Sequence, residues 1–134
     1  MGRVIIGSIV GLIAGGLIIS LVQMVSHSIY GSINFNEIGS REELRILLSE
    51  QPKGALIWIA ISHYIGAFFG GMIAFLVSGR KLIAMWVPIG LIVLSTLVLN
   101  LAMPHPIWFI IIDICASIIG GSVCFLIGRK WAAR

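Results

Sequence analysis

The sequence is poor in charge. Only 10% of its 134 residues are Asp, Glu, Lys or Arg, whereas 59% are hydrophobic. A soluble domain of this length must present a mostly polar surface to water, and so few polar residues could not cover it. The composition therefore excludes an ordinary soluble domain and indicates a protein that lives in a lipid bilayer.

Cysteine and acidic residues are scarce as well. The two cysteines, Cys115 and Cys124, lie on one predicted helix and face nearly opposite sides, so they cannot form a disulfide with each other. Nine Lys and Arg outnumber five Asp and Glu, which gives a net charge of +4. The basic residues stand in dispersed pairs at the ends of apolar segments, a pattern that excludes a nucleic-acid-binding patch.

Motifs of catalysis are missing. The sequence has no Gly-x-Ser-x-Gly, no phosphate-binding loop and no paired catalytic carboxylates on one helix. We therefore expect a protein that is not an enzyme and that carries no cofactor.

Four apolar runs are long enough to cross a bilayer, which takes about 20 residues of helix. They cover residues 4–24, 55–77, 82–103 and 106–127. These runs predict an all-α fold, an integral membrane four-helix bundle that forms one domain over residues 1–134. The first run is longer than the apolar core of a signal peptide and lacks a cleavage site, so we expect it to be a retained helix.

Basic residues predict the orientation of the bundle, because short loops rich in Lys and Arg stay in the cytoplasm. The connection over residues 26–53 balances its basic residues with four glutamates, Glu37 among them, and the connection before the fourth span has no Lys or Arg. Both should face outside, which places both termini in the cytoplasm. The basic residues on the cytoplasmic side are Arg3, Arg80, Lys81, Arg129, Lys130 and Arg134.

The outer connection contains one recognisable local signal. In "GSREELRILLSEQPKG", Ser40 followed by Glu43 is a capping box, which predicts a short amphipathic helix over residues 41–50. We expect this helix to lie on the membrane surface or to cover a vestibule. Its predicted apolar stripe consists of Leu44, Leu47 and Leu48.

Two of the spans resemble each other. Residues 57–81 read "IWIAISHYIGAFFGGMIAFLVSGRK" and residues 107–130 read "IWFIIIDICASIIGGSVCFLIGRK". The shared order of Ile-Trp, Gly-Gly, Phe-Leu and Gly-Arg-Lys is typical of a tandem duplication of a two-helix hairpin. In this alignment His63 corresponds to Asp113. An unpaired charge at membrane depth is costly, so we predict that these two side chains pair inside the bundle.

Small residues accompany both ionisable groups and let helix backbones approach closely. Another row of glycines lies on the first span, where it should pack within the bundle or against a second copy. The predicted helix-packing residues are Gly7, Gly11, Gly15, Gly66, Gly70, Gly71, Gly120 and Gly121.

Other polar residues fall at the same outer level as the predicted pair. They are Gln23, His27, Asn100 and His105. This clustering predicts a polar vestibule that opens outward, with its floor near the pair. Three interpretations stay open: interhelical hydrogen bonding, a ligand or proton site for transport, or a metal site. The metal site would use His27, His63, His105 and Asp113, although no close-spaced ligand pair supports it.

Several short motifs give the chain a resemblance to known sequences. They are His27-Ser28-Ile29-Tyr30, Pro52 with Gly54-Ala55, the Gly66/Gly70-Gly71 row and Pro104-His105-Pro106-x-Trp108-Phe109. With them the chain resembles an uncharacterised family of small four-helix bacterial inner-membrane proteins. The resemblance implies four spans and a bacterial inner-membrane location, and it implies no activity. It includes His27 and His105, whereas His63 and Asp113 fall outside the matching motifs.

Taken with the vestibule, these features predict a small multi-pass membrane protein with a transport or channel-like function. The alternative is a non-catalytic accessory or scaffold subunit of a membrane complex. Besides the lipid bilayer, the expected partner is a second copy or another membrane protein, because four short spans enclose little volume.

Overall fold

The computed structural model of the protein describes residues 1–31 and 38–133, so Glu37 and Arg134 of the orientation argument lie outside the described residues. Four of the described helices, counted with the 3₁₀ turn that begins one of them, are long and apolar enough to cross a membrane. The all-α membrane fold is thereby confirmed. The helices are α1 (Gly2–Tyr30), α2 (Arg41–Glu50), α3 (Lys53–Val77), α4 (Trp86–Ala102) and α5 (Ile107–Ala132), and the 3₁₀ turn is Leu82–Met85.

The first span is longer than predicted. No helix-breaking residue follows residue 24 until Gly31, which adopts a left-handed φ of 81° and donates its N–H to the carbonyl of His27. At 29 residues, α1 is about 44 Å long and must tilt or project beyond the roughly 30 Å hydrocarbon core.

A proline explains why the third span begins as a 3₁₀ turn. Pro88 has no N–H, so it cannot donate to the carbonyl of Ala84 four residues earlier. The hydroxyl of Ser8 donates to that carbonyl instead, at 3.1 Å and buried. This hydrogen bond joins the beginning of α1 to the α3–α4 connection.

Glycines bring α1 against α3. A Cβ atom on Gly7 would lie 2.7 Å from the carbonyl oxygen of Ala74, and one on Gly15 would lie 2.9 Å from that of Gly66. Gly11 lies between these two glycines. Of the three, it makes the closest approach to α3, at the carbonyl oxygen of Gly70. The glycine row of α1 is therefore used within the chain, and it offers no surface to a second copy. Of the two alternatives for this row, packing within the bundle is the one that the structure shows, and a homo-oligomer stays a prediction.

Small residues also bring α5 to α3, as predicted, and they accommodate α4 against both helices. A Cβ atom on Gly120 would collide with the backbone of Tyr64, and Gly71 and Gly121 both face the side chain of Ile89. Helix α3 thus lies at the centre of the bundle, with α1 and α5 on either side. The apolar core at this level consists of Met72, Phe75, Met85, Ile89 and Cys124.

The two halves of the proposed duplication pack differently. Helices α1 and α3 are in close contact along their length. Helix α4, by contrast, packs more extensively on α1 and α3 than on α5. Its Ile92 side chain approaches both Gly15 and Gly70. A groove of about 600 Å³ is left between α4 and α5. The tandem duplication therefore stays a prediction from the sequence, because the contacts of the two hairpins do not match.

The short helix α2 has the predicted bounds and cap. Ser40 Oγ accepts a hydrogen bond from the N–H of Glu43 at 3.2 Å. The Glu43 carboxylate accepts from the N–H of Gly39 at 2.8 Å, one residue before the donor that a capping box uses. The apolar stripe is narrower than predicted, because Leu48 is buried while Leu47 is 41% exposed. Helix α2 lies beside the α4–α5 turn, and we call this end of the bundle the outer end.

The glycine contacts predict a selective effect of added methyl groups. Gly11→Ala should destabilise the protein by about 1–3 kcal/mol, because the new methyl group meets the backbone of α3. Gly16→Ala is the matched control, since a Cβ atom there meets no atom within 4 Å. Denaturant-induced loss of helical circular dichroism in detergent micelles would measure both effects. Equal stability of the two variants would contradict the packing.

Candidate functional site

A histidine and an aspartate form a hydrogen bond inside the membrane bundle. His63 Nδ1 on α3 lies 2.6 Å from Asp113 Oδ1 on α5. Only 8% of the His63 surface and 1% of the Asp113 surface are exposed. The predicted pairing of these two side chains is confirmed, and the pair is enclosed by protein instead of facing lipid.

A third helix completes the site. Asn100, near the end of α4, donates its side-chain N–H to Asp113 Oδ2 at 2.7 Å and to the backbone carbonyl of Thr96 at 2.9 Å. Both oxygens of the Asp113 carboxyl group are therefore hydrogen-bonded, one to α3 and one to α4. We call His63, Asn100 and Asp113 the polar triad.

The positions of the triad along the helices follow from the chain's turns. Asp113 lies six residues after the start of α5, about 9 Å along the helix axis, and Asn100 lies in the last turn of α4. The prolines at 104 and 106 separate these two helices by a short turn, so both residues lie near the outer end. His63 reaches the same level because α3 packs antiparallel to α4.

The hydrogen bonds limit where protons can lie. An amide N–H always donates, so Asp113 Oδ2 is an acceptor. One proton must lie between His63 Nδ1 and Asp113 Oδ1, on either atom. The pair has no net charge only when His63 Nε2 carries a second proton, and an uncharged pair costs less to bury in a low-dielectric interior. Chemically, each partner of this hydrogen bond is a group that can gain or lose a proton.

Two buried polar atoms beside the triad have no protein partner among the described residues. They are Asn100 Oδ1 and His105 Nδ1. The His105 ring packs edge-on against Phe109, with the ring centres 4.8 Å apart. Buried polar atoms usually find a hydrogen-bond partner, often water, so this region between the triad and the outer surface is suited to hold a small polar species.

Burial sets the protonation of His105, which lies in the turn outside the membrane spans. Removal from water lowers the pKa of His105 below its ordinary value of 6.5, and the negative charge of Asp113 opposes this shift only in part. The His105 imidazole is therefore held neutral in the folded protein to a lower pH than an exposed histidine.

The remaining predicted site residues lie apart from the triad. Gln23 on α1 donates to Ser62 Oγ at 3.3 Å, and Ser62 donates in turn to the carbonyl of Ile59. This contact ties α1 to α3 one residue away from His63. Sequence reasoning did not include Ser62, although a serine at the level of Gln23 in an apolar helix was a usable signal. His27 is exposed in the last turn of α1.

The metal-site interpretation finds no support in this arrangement. Within residues 1–31 and 38–133, no three side chains from His, Cys, Asp and Glu lie close enough to hold a metal ion. The four proposed ligands His27, His63, His105 and Asp113 are therefore not gathered at one point.

The enclosure of His63 and Asp113 differs from an open vestibule, because neither residue exposes more than 8% of its surface. A cavity of about 300 Å³ lies at the outer end between Arg45 and Ser49 of α2 and His105 of the turn. Neither His63 nor Asp113 lines this cavity. An outward vestibule that reaches the pair stays a prediction.

The fold and the site together define a class: a small α-helical multi-pass membrane protein with an ionisable pair in its interior. No family model, curated protein or solved structure matches the chain. Evidence for the function therefore comes from the chain's own residues.

The hydrogen bond within the triad predicts an energetic coupling between α3 and α5. A double-mutant cycle of His63→Ala and Asp113→Ala should give a coupling free energy of about 1–2 kcal/mol, the upper range for polar contacts between membrane helices. Denaturant-induced unfolding in bicelles would measure it. His63→Ala combined with Ser8→Ala is the control, because Ser8 bonds to Ala84 near the opposite end and should show no coupling. Additive effects of the first pair would contradict the geometry.

Burial of His105 predicts that stability falls on acidification. Because the pKa of His105 is lowered in the folded state, the unfolded chain binds a proton first as the pH falls through 6.5. The free energy of unfolding therefore decreases as the pH falls below that value, because protonation favours the unfolded chain. Thermal unfolding in detergent at about pH 7.5 and about pH 5.5 should show a larger drop for the parent than for His105→Gln. The other two histidines are unchanged in both proteins, so equal drops would contradict this role.

Proposed function

We propose that the protein is a small transport or channel-like membrane protein in which the His63–Asp113 pair binds and releases a proton. The observation that carries this proposal is the 2.6 Å hydrogen bond between two ionisable side chains buried within the membrane bundle. Ionisable residues inside membrane spans are expensive to keep, and they often mark ion pathways and proton relays.

The choice of side chains favours proton exchange over simple cross-linking of helices. Two amides would join α3 to α5 without any ionisable group, as Asn100 joins α4 to α5. A histidine next to an aspartate adds one property that an amide lacks, which is a proton that can leave. Gain or loss of one proton changes the net charge of the His63–Asp113 pair within the membrane.

A route towards the outside is suggested by the unpartnered atoms. Asn100 Oδ1 and His105 Nδ1 lie near the outer end, and His105 also borders the cavity beneath α2. A proton would pass from the outer cavity by way of His105 and water to the Asp113 carboxyl group. Movement of α2 or of the α4–α5 turn would leave the glycine contacts between α1 and α3 in place, because those contacts lie in other helices.

Location and orientation are part of this proposal. The basic residues at the end opposite α2, together with the resemblance to small bacterial proteins, support an inner-membrane protein with both termini in the cytoplasm. The triad would then lie in the outer leaflet and exchange protons with the extracytoplasmic side.

Proton flux into proteoliposomes tests the proposal. With an imposed membrane potential and an internal pH dye, the parent protein should acidify the vesicles faster than the protein-free leak. Asp113→Asn should reduce flux to near that leak, because an amide keeps the hydrogen bonds and cannot exchange a proton. Ser117→Ala is the matched control: Ser117 lies one turn further along the same face and bonds only to its own helix at Ile114.

The accessory or scaffold function is the second candidate, and the closed interior favours it. The triad is enclosed, and α1 is fixed to α3 by backbone contacts that leave no room for sliding. If the parent protein transports no protons in the flux assay, that result supports the accessory or scaffold function instead. The exposed apolar face of α1 would then be the surface offered to a second copy or a partner membrane protein; it includes Ile5, Ile9, Ile13, Leu17 and Leu21.

A further inference from the structure

The groove between α4 and α5 is a large apolar cavity that lies outside the polar triad. Its volume is about 600 Å³, and apolar side chains form nearly all of its wall. The groove is open at Gly90, where an added Cβ atom would meet no atom within 4 Å. Its lining includes Trp86, Val93, Leu97, Ile118, Phe125 and Leu126.

Basic residues flank one end of this groove, next to the residues that line it. Gly128 on α5 packs against Leu82 and Met85, which places Lys81 and Arg129 at the same level beside the last turns of α5. Arg129 follows Phe125 by four residues and therefore continues the face of α5 that lines the groove. Close to this level the rings of Trp86 and Phe125 pack at an inclined angle of 43°, with their centres 4.9 Å apart. We call this the basic end.

The described carboxylates lie elsewhere. Glu42, Glu43 and Glu50 are on α2 at the outer end, and Asp113 is hydrogen-bonded within the triad. Among described residues the basic end therefore carries positive charge with no acidic side chain to balance it. An anionic group from outside the chain would fit there.

The shape and chemistry of the groove suit a lipid chain. From Trp86 to Leu97 it extends about 17 Å along α4, and its wall presents almost no polar groups. A flexible acyl chain is narrower than a helix and can follow an apolar wall without hydrogen-bonding partners.

We propose that the groove is a specific site for an anionic phospholipid. One acyl chain lies between α4 and α5, and the headgroup phosphate contacts Arg129 and Lys81 beside Trp86. A tryptophan at the level of the headgroups is typical of the membrane interface, which agrees with this placement. The lipid would bind whether or not the His63–Asp113 pair exchanges protons, because the groove and the triad share no residue.

Native mass spectrometry of the purified protein tests this site. We would titrate phosphatidylglycerol and, separately, phosphatidylcholine with matched acyl chains. The parent should retain one phosphatidylglycerol more tightly than phosphatidylcholine, by about fivefold for each basic residue that contacts the phosphate. Arg129→Gln should reduce this preference by about fivefold, whereas Arg41→Gln, on α2 at the outer end, should leave it unchanged.

A second pair of variants tests the groove itself. Gly90→Leu fills it and should weaken retention of phosphatidylglycerol by about tenfold, because the acyl chain loses its apolar contacts. Gly16→Leu is the control, since Gly16 is equally open but lies on α1. Both positions point away from the packed protein, and circular dichroism would verify that the variants fold.

Three results would overturn the proposal. Equal retention of the two lipids would mean that only non-specific annular lipid contacts the groove. Equal effects of Gly90→Leu and Gly16→Leu would place the lipid elsewhere. Loss of a dimer in Gly90→Leu with unchanged lipid retention would show that a second copy of the chain occupies the groove.

Discussion

The absence of water in the hydrocarbon core is the constraint on which the rest of this structure depends. Every polar group placed there must find its partner within the protein. The Asp113 carboxyl group meets this requirement with one bond to His63 and one to Asn100, so a single side chain holds three helices in one register. Elsewhere the Ser8 hydroxyl satisfies the carbonyl that Pro88 leaves without a donor.

Close packing makes these hydrogen bonds possible. Side-chain bonds of under 3 Å between helices require backbones that approach closely, and glycine is the residue that permits this. Helix α3 has small residues on more than one face: Gly70 contacts α1 and Gly71 contacts α4, while Gly120 of α5 fits against Tyr64. The central position of α3 therefore follows from its composition.

Sequence reasoning predicted the membrane spans, the bounds of α2 and the His63–Asp113 pair. Composition and length fix the spans, a capping residue fixes the start of α2, and a shared pattern aligned the two ionisable residues. The partner of the α1 glycine row and the bond from Asn100 were not predicted. Helices α1 and α5 are apolar on almost every side, so periodicity does not define how each is rotated against its neighbours. That rotation depends on backbone contacts, which are visible only in three dimensions.

The position of α4 relates the polar triad to the groove. Helix α4 packs onto α1 and α3, where Ile92 fits against Gly15 and Gly70. It also contacts α5 at three levels: Asn100 with Asp113 at the outer end, Ile89 with Gly121 deeper in the bundle, and Trp86 with Phe125 further on. Between these contacts the two helices leave a groove that apolar side chains line. The interface of α4 and α5 is therefore polar where Asn100 meets Asp113 and apolar along the rest of its length.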